Sequence, residues 1–222
     1  MSGVRPFGEA AFLVETGDAA TAERYRIALG TAGVVGLRGL VPGRSSLLVE
    51  FDPLAVGADD LFQLLVEGPG VGQLPPQGRR VRRIPVVYGG EHGPDLEDVA
   101  ALAGLRPSEV VELHASTELR VLFGGFAPGF AYLGEVAEPL RVPRLATPRT
   151  RTPAGSVALA DGMSGIYPAD LPGGWQVIGR TPLRLFDAHR EPPAYLLPGD
   201  AVRFQPMEPA AWDAHAGPAD DW

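Results

Sequence analysis

In the first eighty residues, short apolar runs of strand length alternate with stretches of helical period. Ala11-Phe12-Leu13-Val14-Glu15 is an apolar run that stops at Thr16-Gly17-Asp18. From Ala19 to Leu29 the apolar positions Ala22, Tyr25, Ala28 and Leu29 recur at helical spacing. Val34 to Val41 and Ser46 to Phe51 are β-rich runs on either side of Pro42-Gly43-Arg44-Ser45, a pattern that predicts a hairpin. Asp59 to Val66 then predicts a second helix, with Leu61, Phe62, Leu64, Leu65 and Val66 as its apolar face. With a closing strand near Val81, the order strand, helix, hairpin, helix, strand predicts a small ferredoxin-like unit.

Gly68 to Gly78 is dense in Gly and Pro and marks a linker, which sets the expected domains at 1–78 and 79–222. It runs into Arg79-Arg80-Val81-Arg82-Arg83, which suits either an anion patch or a solvated edge strand with Val81 inward. Two helices are expected next, Leu96 to Ala103 and Ser108 to Ala115, joined by Gly104-Leu105-Arg106-Pro107. Ser108 is a fair N-cap, but Val111 three places on closes no capping box. Short β-rich runs follow at Arg120 to Phe123, Ser156 to Leu159, Gln176 to Gly179, Leu183 to Phe186 and Ala201 to Phe204. Many short strands with Gly/Pro turns indicate a closed barrel or a sandwich, so the class is α+β. The tail after Pro206 has little to order it.

Composition narrows the chemistry. The 222 residues contain no Cys, Lys or Asn, and all 19 basic residues are Arg. A thiol nucleophile, a disulfide, a Cys-ligated metal, an internal Schiff base and a Lys-bearing P-loop are therefore excluded. Any anion must be held by Arg, backbone N–H groups or hydroxyls. A net charge of -8 argues against a general nucleic-acid binder. No apolar run is long enough to span a bilayer and Met1 to Pro6 lacks a signal-peptide core, so no membrane association and a cytoplasmic location are expected.

Several motifs are candidates for function. Asp98 to His114 has the outline of a helix-turn-helix, but its second helix carries Glu109 and Glu112, which would repel phosphates. His92, His114, His189 and His215 have no metal-ligand spacing, so no metal site is expected; His114 suits a structural role, and His92 lies in a Gly-rich loop open to function. Gly124 to Leu133 carries Phe126, Phe130 and Tyr132, fit for a small-molecule pocket or for the core of a turn. Ser156 lacks a nucleophile elbow and suits a hydroxyl contact or a structural role. Arg144, Arg149 and Arg151, among prolines, could fan guanidinium groups toward a carboxylate or phosphate, or lie on a solvated loop. Gly165-Ile166-Tyr167-Pro168, Pro172-Gly173-Gly174-Trp175 and Ile178-Gly179-Arg180-Thr181-Pro182 set Gly beside aromatics and Arg, where backbone N–H groups can approach a ligand or a turn needs positive φ.

Taken together and in order, these motifs resemble one family. Tyr88-Gly89-Gly90, Gly93 to Leu96, Gly125-Phe126 with Pro128 to Leu133, Pro148-Arg149, Pro153 to Val157, Gly165 to Pro168, Pro172 to Trp175, Ile178 to Pro182, Leu185 to Asp187 and Gly199-Asp200 are similar to those of the B-type subunits of 5-oxoprolinase. The same family includes the sporulation-kinase inhibitor KipI and allophanate hydrolase subunit 1. The resemblance is dense over residues 80 to 206 and looser before them.

It implies a small N-terminal α/β domain followed by a cyclophilin-like β-barrel, and partnership with the KipA-like C-type and the A-type subunits of 5-oxoprolinase. It also implies ATP-dependent opening of the lactam of 5-oxo-L-proline to glutamate, with ATP and Mg²⁺ held by this chain or by the complex. Phosphorylating the lactam oxygen makes an unreactive amide a better electrophile, a step that needs positioning and positive donors. On that reading Arg149, Arg180 and Ser156 are the catalytic candidates. Phe126, Phe130, Tyr132, Tyr167, Gly173, Gly174 and Trp175 are the substrate-binding candidates. The alternatives are a KipI-like inhibitor of a sensor histidine kinase and a chain related to allophanate hydrolase or urea amidolyase. The chain departs from the family at Ala160 to Gly165, where others commonly read Ala-Gly-x-Gln-Thr-Gly, and at Leu171, where they commonly have Ser.

Overall fold

The computed structural model describes residues 3–68 and 80–219. It divides into two compact units, Met1–Gly78 and Arg79–Trp222, and each is described by itself. Apart from Gly68, the expected linker lies outside the described residues, as does Arg79, the first of the clustered arginines.

The first unit comprises β1 (Val4–Pro6), β2 (Ala11–Glu15), α1 (Ala19–Thr31), β3 (Leu37–Pro42), β4 (Ser46–Phe51) and α2 (Ala58–Glu67). Its antiparallel sheet has the order β1-β2-β4-β3. Asp18 starts α1 by accepting the Thr21 N–H at 2.7 Å, which holds its carboxyl below the usual range. Every second residue of β2 and β4 turns inward, so Phe12, Val14, Leu47, Val49 and Phe51 meet Leu29 of α1 and Leu61 and Leu65 of α2. The ferredoxin-like order is thus present in β2 through α2. The closing strand expected near Val81 is not part of this sheet; the place beside β2 is taken by β1.

The second unit comprises β5 (Val81–Tyr88), α3 (Leu96–Ala103), α4 (Pro107–Ser116), β6 (Leu119–Gly124), β7 (Ala131–Gly134), β8 (Arg149–Thr152), β9 (Ser156–Ala160), β10 (Met163–Ile166), β11 (Leu171–Gly173), β12 (Gln176–Arg180), β13 (Leu183–Arg184), β14 (Ala201–Pro206) and β15 (Gly217–Pro218). Seven of these strands close a barrel in the order β10-β7-β6-β14-β5-β12-β9, while β8 and β11 form a separate ribbon. One cluster takes residues from all seven barrel strands, among them Ile84, Val121, Leu133, Leu159, Ile166, Ile178 and Val202. Only the barrel interior can gather side chains from every strand, so this cluster is its filling. Leu96, Val99 and Ala100 of α3 and Val110 of α4 join it, so the helical pair seals the barrel core.

Two expectations are corrected here. Helix α4 begins one residue before Ser108, with Pro107 in its first turn, and Arg106 is the N-cap. Glu109 accepts the Arg106 N–H at 2.8 Å and its guanidinium at 2.9 Å, contacts that pull the Glu109 carboxyl down to about 2. Nor is the basic run an edge strand, since β5 lies between β12 and β14. Arg82 is buried, with its guanidinium 4.4 Å from the Tyr195 ring centre and 3.8 Å from Asp200, which also binds Arg80 at 3.0 Å. A carboxylate and an aromatic face make that burial tolerable.

One polar chain crosses the core. His114 of α4 bonds Tyr88 Oη through Nδ1 at 2.8 Å and Ser164 Oγ through Nε2 at 3.0 Å, and it stacks on Phe204 at 4.4 Å. Burial pushes its pKa down to about 3 and raises that of Tyr88, so His114 sits neutral between two hydroxyls. The unfolded chain binds a proton at His114 below about 6.5, whereas the folded chain does so only near 3. The contribution is therefore complete above pH 6.5 and is lost progressively as the pH falls toward 3. Urea unfolding at pH 7 and pH 5 should give a larger loss of stability for the wild type than for His114→Gln. Equal losses would contradict the assignment.

Candidate functional site

The aromatic residues singled out in the sequence converge on Phe130. Around its ring lie Phe126 (5.4 Å between centres), Tyr132 (4.9 Å), Tyr167 (5.3 Å) and Trp175 (5.9 Å), at interplanar angles from 60° to 89°. Edge-to-face packing sets the positive rim of each ring against a negative face. Ala158, Ala160, Met163 and Val177 complete the cluster, on the sides of β9, β10 and β12 opposite the barrel filling. It is therefore a second, outer layer on these strands. Two glycines make room for it. A Cβ on Gly165 would lie 3.0 Å from the Phe130 ring and 3.1 Å from Trp175. A Cβ on Gly173 would lie 2.1 Å from the Tyr167 hydroxyl.

The layer opens to solvent at Phe126. This side chain is 59% exposed and its backbone has φ of 70°, a left-handed conformation that is costly for a non-glycine residue. Behind it Tyr132 is half-buried, and Phe130, Tyr167 and Trp175 are buried. Burial raises the Tyr132 and Tyr167 hydroxyl pKa values, so both stay neutral, and the Tyr167 hydroxyl is engaged by the Trp175 backbone and by Thr152. Gly174 is half-buried, and its carbonyl accepts the Leu145 N–H at 2.7 Å.

Beside Trp175 the chain is fastened by Asp95. This buried carboxylate accepts the Val177 N–H at 2.6 Å and the Arg149 guanidinium at 2.5 Å, while its own N–H donates to Val177 O at 2.9 Å. Arg149 also donates to Trp175 O at 3.4 Å. Asp95 is the residue that sequence reasoning missed as a fastening; its signal was the Gly93-Pro94-Asp95 motif just before α3.

The remaining candidates separate. Ser156 and Arg180 are cross-strand partners on β9 and β12. Arg180 lies near Asp170, the partner of Arg151, whereas Arg149 is bound to Asp95. Ser156 is buried. Arg180 donates through Nε to Ala154 O at 2.7 Å and places its guanidinium 5.4 Å from the Trp212 ring centre. Trp212 also stacks on His92 at 4.8 Å, and β15 pairs with β13, so residues 207–219 are structured where little order was expected. Stacking and strand pairing supply the order that the local sequence does not.

The arginine fan is likewise corrected. Arg144 binds Asp161 at 2.8 Å, Arg149 binds Asp95, and Arg151 binds Asp170. Each is tied to a carboxylate distant in sequence. Arg180 makes no ion pair among the described residues. No cluster of metal-ligating side chains occurs among them, and no helix is long and apolar enough to cross a membrane.

Comparison with known proteins places this geometry. The family model "Carboxyltransferase domain, subdomain C and D" matches residues 2–196. The B-type subunit of 5-oxoprolinase from Escherichia coli O157:H7 is 47% identical over 169 residues, 76% of this chain and 77% of that protein. Its counterpart from Bacillus subtilis strain 168 is 50% identical over 126 residues, 57% of this chain and 52% of that protein. The crystal structure of TTHA0988 superposes with a TM-score of 0.77 at 37% identity, over 90% of this chain and 40% of that one.

Removing Asp95 strands the buried Val177 N–H and the Arg149 guanidinium, and removing Arg149 leaves the buried Asp95 charge without its counter-charge. Asp95→Ala and Arg149→Ala are each expected to cost about 3 kcal/mol in urea unfolding, and the double substitution less than their sum. Fully additive costs would remove the Asp95–Arg149 pair from its central place.

Proposed function

The chain belongs to the carboxyltransferase subdomain C and D family, and from that premise we propose that it is the B-type subunit of an ATP-dependent 5-oxoprolinase. The observation that carries this reading in the molecule is the aromatic layer around Phe130, open at Phe126. A five-membered lactam has apolar methylene faces and a polar amide edge. Apolar walls at Phe126, Phe130, Tyr167 and Trp175, a neutral hydroxyl at Tyr132, and backbone at Gly173 and Gly174 suit that combination.

In this reading the layer holds and orients the ring, and Asp95 with Arg149 sets the position of Trp175. Arg149 is then a positioning residue. Arg180 is the cation this chain offers to an anionic group, with Ser156 on the neighbouring strand. Positioning and charge placement are what a chain without Lys or Cys can contribute to phosphoryl chemistry.

The fit to ATP is poor. Arg144, Arg149 and Arg151 are already committed to carboxylates, which leaves Arg180 as too little positive charge for a triphosphate with its metal. We therefore assign ATP and Mg²⁺ to the A-type and KipA-like C-type partners and route no step through them here. A cytoplasmic complex goes with this proposal. That TTHA0988 is a longer chain, of which this one spans 40%, supports a partner as part of the working unit.

The test is 5-oxoproline-dependent ATP hydrolysis by this chain copurified with its A-type and C-type partners. Arg180→Ala is expected to lower kcat/KM about 100-fold, equivalent to about 2.7 kcal/mol. Phe126→Ala, at an exposed site, should raise KM with kcat little changed. Turnover indifferent to 5-oxoproline and to both substitutions would overturn the proposal. Inhibition of a sensor kinase by the same preparation would then favour the KipI-like role.

A further inference from the structure

Four of the described arginines are not exposed to solvent: Arg26, Arg82, Arg149 and Arg180. Three of them are tied to carboxylates, Arg26 to Glu23 at 2.7 Å, Arg82 to Asp200 at 3.8 Å and Arg149 to Asp95. Arg180 is the exception. Its Nε donates to Ala154 O and its guanidinium lies against the Trp212 ring, which leaves both terminal nitrogens without an acceptor among the described residues. Asp170 is near, but its oxygens are taken by the Ala154 N–H and by Arg151. A second unfilled group meets the same indole. His92, in the loop between β5 and α3, stacks on Trp212 at 4.8 Å, and its Nδ1 is buried with no hydrogen-bond partner among the described residues. Its Nε2 lies 3.7 Å from the exposed Glu91. Trp212 itself sits between two single 3₁₀ turns, Pro209–Ala211 and Asp213–His215, neither of which contains a buried residue.

A half-buried guanidinium without a counter-charge and a buried ring nitrogen without a partner each carry an uncompensated desolvation cost. An oxyanion offsets both at once. It accepts from the terminal nitrogens of Arg180, and an imidazole whose Nδ1 is free can adopt the tautomer that donates there. One guanidinium balances one negative charge, and its planar edge matches the two oxygens of a carboxylate. We propose that Arg180 and His92, brought together by Trp212, form a binding site for the carboxylate of a small organic acid. The inference rests on the reading of Arg180 above as the cation offered to an anionic group, and it adds the class of that anion, a second donor and a gate. Nδ1 is covered where it lies, so the carboxylate reaches it as Trp212 moves off the imidazole, a movement that the exposed turns on either side of Trp212 permit.

The experiment is NMR titration of the isotope-labelled full chain, at constant pH and ionic strength, with acetate, acetamide and inorganic phosphate as probes. Saturable shifts of the Trp212 indole N–H and the His92 ring are expected with acetate, with binding roughly 10-fold tighter than for acetamide, which has the same shape without the charge. Arg180→Gln, which keeps an N–H for Ala154 O, should weaken acetate roughly 10-fold. His92→Phe, which keeps a ring on Trp212 and removes the nitrogen, should weaken it roughly 3-fold. Unchanged spectral dispersion confirms that both variants fold, and the comparison of acetate with acetamide on the wild type stands without them. Because binding is read on this chain without ATP or partners, its failure is distinct from a failure of 5-oxoproline turnover in the complex. Equal affinity for acetate and acetamide, or an acetate affinity unaffected by Arg180→Gln, would overturn the proposal. Phosphate binding roughly 10-fold tighter than acetate would overturn it in favour of a phosphoryl group.

Discussion

The buried carboxylate of Asp95 is the interaction on which the arrangement of the barrel's outer layer depends. It joins the residue just before α3 to β12 through paired backbone contacts at Val177, and it holds the guanidinium of Arg149 on β8. Arg149 in turn meets the carbonyl of Trp175. One side chain therefore fixes a helix start, a barrel strand and the outer ribbon. A buried carboxylate is stable only with its lone pairs filled. Because β12 and β8 supply the filling and the start of α3 carries the carboxylate, none of the three can shift without exposing an unpaired charge.

Above that fastening, the barrel uses both faces of some strands. Val157 and Leu159 of β9 fill the interior, while Ala158 and Ala160 carry the aromatic layer. Small residues are what permit this: alanines on β9 and glycines at 165 and 173 let rings lie close against the sheet. The rings pack mainly against one another, and the layer thins to an exposed, strained Phe126. Among the described residues the nearby arginines 144, 149 and 151 are spent on carboxylates within the chain, and Arg180 makes no ion pair but is held by Ala154 O and Trp212, so the surface offers shape rather than a dense positive field. That arrangement suits the positioning role proposed for this chain.

Much of this was legible in the sequence where structure is local. Helix α3 has the bounds that its apolar spacing predicted, and the hairpin between β3 and β4 follows its Pro-Gly turn. The aromatics at 126, 130, 132, 167 and 175 were singled out one motif at a time, yet only the fold reveals that they share one ring centre. Long-range pairing was invisible. Arg144, Arg149 and Arg151 look free in a proline-rich loop because their carboxylates lie 17, 54 and 19 residues away. The short strands β7 and β10 contain Gly and Ser, which weaken the strand pattern, and they form because neighbours pair with them on both sides. Trp212 gave no signal, since its stacking partner His92 is far along the chain.

The central claim is that the layer around Phe130 receives the lactam. The most direct measurement is the fluorescence of Trp175 in the assembled complex, in a chain with Trp212→Phe and Trp222→Phe, during titration with 5-oxo-L-proline. The expected result is a saturable change in Trp175 emission whose midpoint follows the KM for 5-oxoproline and moves with Phe126→Ala. Full turnover with Trp175 emission indifferent to 5-oxoproline would contradict the claim.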